Sequence, residues 1–205
     1  IEETVNYLNG QGEKVGLVKV RLFRPFSTKH LMEALPERCK SIAVLDRTKE
    51  PGSSGEPLYL DIVNSLTSVT DAYASLQIVG GRYGLSSKEF NPNMVKAVFD
   101  NLKLEYPKNN FTIGINDDVT NLSLPYKNEI QLQDDNLQIL FYETKSKTSC
   151  TSFNTVLQLL GDESHVQGYT EIDYKKSGSR SVSNLRVGAA PIKAPYSISN
   201  ADFIA

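Results

Sequence analysis

The sequence predicts an α/β protein: a mainly parallel open sheet with helices on both faces, followed by a partial second α/β unit. Three observations carry this. Short apolar runs, such as Ser41-Ile-Ala-Val-Leu45 and Leu76-Gln-Ile-Val79, alternate with segments whose apolar residues recur every three or four positions. The connections between them are short and punctuated by Gly, Pro, Asn and Asp. Strand–helix alternation with such connections favours right-handed crossovers and a sheet covered on both sides.

The elements follow in order. Glu2 to Asn9 reads as the tail of a helix, stopped by Gly10 and Gly12. Val15 to Phe23, rich in Val and Leu, reads as a buried strand ended by Arg24-Pro25. Thr28 to Leu35 is a short helix with Leu31, Met32 and Leu35 on one face. Ser27 or Thr28 caps it, because a hydroxyl oxygen accepts an otherwise unpaired backbone N–H. Ile42–Leu45 is a strand, Pro57–Ser68 a helix and Leu76–Val79 the next strand, with Gly80-Gly81 opening a turn. Met94–Leu102 is a helix, with Val95, Val98, Phe99 and Leu102 at helical spacing. Phe111–Ile115 is a strand.

After Leu102 the texture changes. Glu105-Tyr-Pro-Lys-Asn-Asn110 is rich in turn formers, and residues 116–135 are polar, so this region reads as a linker. A second α/β unit begins at Leu137–Tyr142. It continues through a helix at Phe153–Leu160 and extended segments at Val166–Asp173 and Ser181–Val187, and reaches a short apolar strand at Ile198–Ile204.

Composition narrows the function classes. With 205 residues and 40% hydrophobic content, there is chain for one large or two small domains. A net charge of −2 gives no general electrostatic reason to bind nucleic acid or an anionic membrane. No apolar run approaches the roughly 20 residues that span a bilayer, and Ile1-Glu-Glu-Thr has no signal-peptide pattern. Only Cys39 and Cys150 are present, too few for an iron–sulfur ligand set; both are expected to stay reduced in a cytoplasmic setting.

The most specified connection is Asp46-Arg-Thr-Lys-Glu-Pro-Gly-Ser-Ser-Gly-Glu-Pro-Leu-Tyr-Leu-Asp61. Strand, Gly/Pro-rich turn and helix put this loop at the carboxyl end of a parallel sheet, where α/β proteins meet ligands and partners. Asp46, Arg47, Lys49, Glu50, Gly52, Gly55 and Glu56 are therefore the candidate interface residues, with Arg47, Lys49 and Glu50 forming ion pairs against another domain.

Together with Val18-Lys-Val-Arg-Leu-Phe-Arg-Pro-Phe-Ser27, Gly81-Arg-Tyr-Gly-Leu-Ser86, Phe111-Thr-Ile-Gly-Ile-Asn-Asp-Asp-Val-Thr120 and Lys175-Lys-Ser-Gly178, that loop resembles the pyruvate:ferredoxin (flavodoxin) oxidoreductase family nearly end to end. The resemblance implies an internal piece of a multidomain enzyme. Residues 1–115 would be a transketolase C-terminal-like domain, 116–136 a linker, and 137–205 the first part of a CoA-associated, gamma-type domain. It also implies a homodimeric parent that uses thiamine diphosphate, Mg²⁺ and iron–sulfur clusters, takes CoA as substrate, and passes electrons to ferredoxin or flavodoxin. No catalytic, thiamine or metal residue falls in this stretch, so alone it would not turn over.

In the same family the loop after the Tyr142 strand follows a Gly-x-Gly-Ser-Asp-Gly-Thr-x-Gly-Ala-Asn-Lys pattern expected to cradle CoA phosphates. Glycines allow close approach of backbone N–H groups to an anion, and the helix N-terminus adds favourable charge. Here Glu143, Lys145, Thr148 and Thr151 replace glycines and Asn154 replaces the lysine, while Ser146 keeps its match and Ser149 stands in for threonine. Side chains with a Cβ hinder that approach. Lys145 and Lys147 restore some positive charge, and Lys175, Lys176, Arg180 and Arg186 form a basic cluster near Gly178. Ser146, Ser149, Asn154, Lys175 and Lys176 are thus weak CoA-phosphate candidates; the alternative is a solvated polar loop capping a helix through Thr151 or Ser152. Asn116-Asp117-Asp118 is either a turn or a cation or thiamine ligand. His30 and His165 are isolated, without metal-ligand spacing.

Two functional expectations stay open. One is a working module that assembles a 2-oxoacid oxidoreductase and contributes to CoA docking. The other, again by resemblance, is a scaffolding module of a fungal-type NADPH sulfite reductase that has dropped CoA binding.

Overall fold

The computed structural model describes residues 1–69, 76–85, 88–116, 119–130, 132, 135–144, 151–161, 164–172, 180–194 and 196–205. The chain separates into two compact units, Ile1–Leu132 and Gln133–Ala205.

In the first unit the elements are α1 (Glu2–Gly10), α2 (Thr28–Ala34), β1 (Ser41–Asp46), α3 (Pro57–Val69), β2 (Gln77–Arg82), α4 (Pro92–Leu102) and β3 (Phe111–Thr112). The three strands form a parallel sheet in the order β1-β2-β3, with Ile42 beside Ile78 and Asp46 beside Arg82. Successive side chains on a strand point to opposite faces, and both faces here are apolar. Ile42, Val44 and Ile78 pack with Leu31, Ile62 and Leu66 from α2 and α3. Ala43, Leu45 and Val79 pack instead with Met94, Ala97 and Val98 of α4, and with Phe111 and Ile113. Helices therefore cover the sheet on both sides, as the alternation predicts.

The helix ends have identifiable causes. The Ser27 hydroxyl accepts the His30 N–H at the start of α2. The Asn91 side-chain oxygen Oδ1 accepts Met94 N–H at the start of α4, and Pro92 occupies the first turn, where its missing N–H costs nothing.

Two expectations are corrected. Gly80 and Gly81 open no turn: β2 runs through both. A Cβ at Gly80 would meet the Tyr59 ring at 2.9 Å and one at Gly81 the Phe111 ring at 2.2 Å, so glycine serves close packing inside the strand. Residues 15–23 form no strand either. They run without helix or ladder pairing, and Leu17, Val18, Leu22 and Phe23 are exposed. Apolar, β-branched composition marks a segment suited to a sheet, but pairing requires a neighbouring strand, and among the described residues β1 pairs only with β2.

Part of the polar stretch after residue 115 is held by the first unit. Leu124 N–H donates to Thr112 O, and the Asn93 side chain accepts the N–H groups of Glu129 and Ile130. Leu124 and Ile130 are buried.

The second unit comprises β4 (Leu137–Thr144), α5 (Thr151–Gly161), β5 (His165–Ile172), β6 (Arg180–Gly188) and β7 (Phe203–Ile204). Its sheet is mixed, in the order β5-β6-β4-β7: β6 is antiparallel to both β4 and β5, and β7 is parallel to β4. Phe153 of α5 is buried and meets Phe141 edge-on, with ring centroids 5.8 Å apart.

Candidate functional site

The register that sets Asp46 beside Arg82 and Arg82 beside Thr112 brings the carboxyl ends of all three parallel strands to one edge. The loop between β1 and α3 lies there. Asp46, buried at the end of β1, accepts Leu58 N–H on Oδ1 at 3.0 Å and Tyr59 N–H on Oδ2 at 3.1 Å. These are first-turn donors of α3 that have no partner within the helix, and the helix N-terminus favours negative charge. Desolvation nevertheless pushes the Asp46 pKa above its ordinary value, with the two backbone bonds pulling the other way.

At the far end of the loop, Glu56 meets Arg82: Arg82 Nη1 donates to Glu56 Oε1 at 3.1 Å, with the side chains only 11% and 7% exposed. The second carboxylate oxygen accepts Glu50 N–H at 2.8 Å, and Arg82 Nη2 donates to Asn110 O at 2.8 Å. Tyr59 lies against Gly55, where a Cβ would come within 2.5 Å of the ring. The Tyr59 hydroxyl accepts from Asn109, whose side-chain oxygen accepts Gly80 N–H. The loop is thus folded back and fastened at both ends within its own unit.

Its outward side is different. Arg47, Lys49, Glu50 and Gly52 are exposed. Arg47 Nε donates to Gly84 O at 3.1 Å, which orients the side chain without supplying a counter-charge. Asp46, Gly55 and Glu56, by contrast, face inward. The seven predicted interface residues therefore divide into an internal frame and a charged surface. Both inward carboxylates are occupied by donors, so neither is free to act as a general base.

In the second unit two members of the predicted basic cluster, Arg180 and Arg186, are among the described residues. Arg180 and Arg186 are six residues apart on β6, roughly 20 Å at strand spacing. Arg180 lies over the Tyr142 ring, 5.4 Å from its centroid. Arg186 is 1% exposed; it donates to Ala194 O at 3.2 Å and Tyr196 O at 2.9 Å and faces the Tyr196 ring. It ties the segment after β6 to the sheet and is withdrawn from any phosphate. Asn154 is exposed on α5. Ser146, Ser149, Lys175 and Lys176 lie outside the described residues, as do Lys145, Lys147, Asp117, Asp118 and the side chains of Thr151 and Ser152. His30 Nδ1 is 2.7 Å from Ser27 Oγ, a capping contact, and His165 is exposed on β5.

A family model described as pyruvate:ferredoxin oxidoreductase core domain II matches residues 1–88. Over 208 aligned residues and its full length, the chain is 50% identical to a pyruvate-flavodoxin oxidoreductase of Trichormus variabilis, and 51% identical to a pyruvate:ferredoxin oxidoreductase of Moorella thermoacetica. A probable pyruvate-flavodoxin oxidoreductase of Escherichia coli is 48% identical over 99% of the chain. The chain belongs to the pyruvate:ferredoxin (flavodoxin) oxidoreductase family. It spans about 18% of the length of these relatives.

Within this oxidoreductase segment, Arg82, Tyr59 and Asn109 are the site residues that sequence reasoning missed. Arg82 sits in the quoted Gly81-Arg-Tyr-Gly84 block, and a charge at the end of a buried strand was the available signal. Two cysteines cannot supply a four-thiolate cluster site. Among the described residues no group of three or more His, Cys, Asp or Glu side chains is placed to hold a metal ion, and no helix is long and apolar enough to cross a membrane.

Proposed function

We propose that this chain is an assembly module of a large cytoplasmic enzyme that oxidatively decarboxylates pyruvate, transfers the acyl group to CoA and passes electrons to flavodoxin or ferredoxin. The observation that carries this reading is identity of about one residue in two, along the whole chain, with enzymes named for that activity. The decarboxylation on thiamine diphosphate and the cluster chemistry belong to other domains of the same polypeptide, and the parent is a homodimer. Residues 1–115 serve as its transketolase C-terminal-like domain and 137–205 as the start of its gamma-type domain, with 116–136 between them.

Arg47, Lys49, Glu50 and Gly52 supply the docking face, and Asp46, Gly55 and Glu56 hold it in shape. The loop after β4 contributes little to CoA. Glu143, Lys145, Thr148 and Thr151 stand where glycines would expose backbone N–H groups, and Asn154 stands where a lysine would pair with phosphate. A lost charge-assisted hydrogen bond costs about 1.5–3 kcal/mol, and about 1.4 kcal/mol is a tenfold change in affinity. Losing two such bonds moves a micromolar grip toward millimolar.

The test uses the native-length polypeptide. With Arg47→Glu and Lys49→Glu together, pyruvate-dependent flavodoxin reduction is expected to fall at least about tenfold (~1.4 kcal/mol), with unchanged far-ultraviolet circular dichroism. Unaltered turnover would remove the docking role. Calorimetric titration of CoA is expected to give a dissociation constant near millimolar, and one of about ten micromolar would show the phosphate grip intact.

A further inference from the structure

The second unit has a cavity of about 810 Å³ at the end of its sheet where β4 and β5 begin and β6 stops. In the ladder, Leu137 stands opposite Val187 and His165 opposite Gly188. Opposed residues share a face, and Phe141, on the same face of β4 as Leu137, meets Phe153 of α5. Leu137 and Val187 therefore lie on the α5 side, where α5 itself ends at Gly161. Both line the cavity, and Leu137 is left 47% exposed. β4 and β5 flank β6, roughly 10 Å from each other, so the opening has the width of one small molecule.

Polar groups gather around this apolar wall. Asp135 stands just before β4, and Ser164 and His165 stand where β5 begins. Ser164 N–H donates to Leu160 O at 3.1 Å, which holds that corner against the end of α5. Asn136 packs on Gly188 and leaves no room there for a Cβ, which fixes the chain beside Asp135. Among the described residues, neither the Asp135 nor the His165 side chain has a hydrogen bond or ion pair. The C-terminus of α5 carries partial negative charge, and its last turn has no basic residue to offset it. No lining residue is Lys or Arg. In sequence, Asp134 adjoins Asp135, and Asp162-Glu163 precede Ser164.

We propose that this cavity binds a small organic cation, an ammonium or guanidinium head on a short aliphatic stem. The stem lies along Leu137 and Val187, as the methylenes of lysine and arginine lie along apolar surface. The head meets the Asp135 carboxylate and the negative end of α5, with Ser164 Oγ and the neutral His165 ring as further acceptors. An anion would face uncompensated negative charge there, which disfavours phosphate and CoA. A bare metal ion fits poorly as well, since among the described residues no three His, Cys, Asp or Glu side chains converge. The cation has two sources: a free amine, or a lysine or arginine elsewhere in the longer polypeptide, of which this chain spans about 18% in its relatives.

The cavity lies at the opposite end of β4 from the loop weighed for CoA, and its test reads neither turnover nor CoA. In saturation-transfer NMR on the native-length polypeptide, n-butylguanidinium is expected to bind saturably. Its affinity should exceed that of n-butanol, which has the same stem, by at least about tenfold. Asp135→Asn is expected to weaken binding by at least about fivefold, while Asp135→Glu retains it. That result assigns a free ligand. If a side chain of the polypeptide already fills the cavity, the probe does not bind. Asp135→Asn then speeds amide exchange at residues 164–166 and 187–188 by at least about tenfold, and Asp135→Glu keeps the native rate. Binding indifferent to the charge at residue 135, or to that of the probe, would overturn the proposal. So would failure of the probe to bind together with unchanged exchange in Asp135→Asn.

Discussion

Arg82 and Glu56 show how a single pair organises the loop. A buried charge is tolerated only when paired and hydrogen-bonded, and each member here has a second contact: Glu56 with Glu50 N–H, Arg82 with Asn110 O. Replacing one member strands the other. Arg82→Met is expected to lower unfolding stability by about 3–5 kcal/mol, and the double variant with Glu56→Gln to recover most of the loss. Urea unfolding of the chain checks both; equal losses in the single and double variants would mean that the pair itself matters little. Glu56 was legible as part of a specified loop. Its partner was not, because Arg82 lies 26 residues away and meets it only through the register of β1 with β2.

At the scale of elements, most strands and helices were readable because each carries its own periodicity. Helix α4 is an instance, with apolar residues at three- and four-residue spacing and an Asn-Pro start. The misreadings concern segments whose state depends on a neighbour. Gly80-Gly81 resembles a turn until the Tyr59 and Phe111 rings are in place, and residues 15–23 resemble a strand that has no partner among the described residues. Close approach of Tyr59 to the loop gives a direct check. Gly55→Ala puts a Cβ 2.5 Å from the ring and is expected to cost about 1–3 kcal/mol through forced displacement. Gly10→Ala, with open space around the new Cβ, is expected to stay within about 0.5 kcal/mol. Thermal unfolding of both variants distinguishes a packing requirement from a general dislike of alanine.

Across the whole of the first unit, contacts distant in sequence join the helices. Lys103, just after α4, donates to Glu13 at 2.7 Å across 90 residues. That hydrogen bond raises the Lys103 pKa above its ordinary value of 10.5, against partial desolvation. A lysine with a raised folded pKa contributes stability that is fully present below its unfolded pKa and is lost as pH rises through the folded one. Lys103→Met is therefore expected to cost under about 1 kcal/mol at neutral pH, since both side chains are partly solvated. The difference from the native chain should vanish above the raised pKa and shrink in high salt; a pH-independent difference would place the effect in packing. The alternation of elements and the position of the 46–61 loop could be read from local patterns, because propensity, periodicity and turn chemistry act over a few residues, whereas the family was legible only through the resemblance of ordered sequence blocks. Which charges are buried, that Arg186 faces inward, and that residues 15–23 join no strand among the described residues depend on pairings between distant segments, and such pairings exist only once the chain has folded.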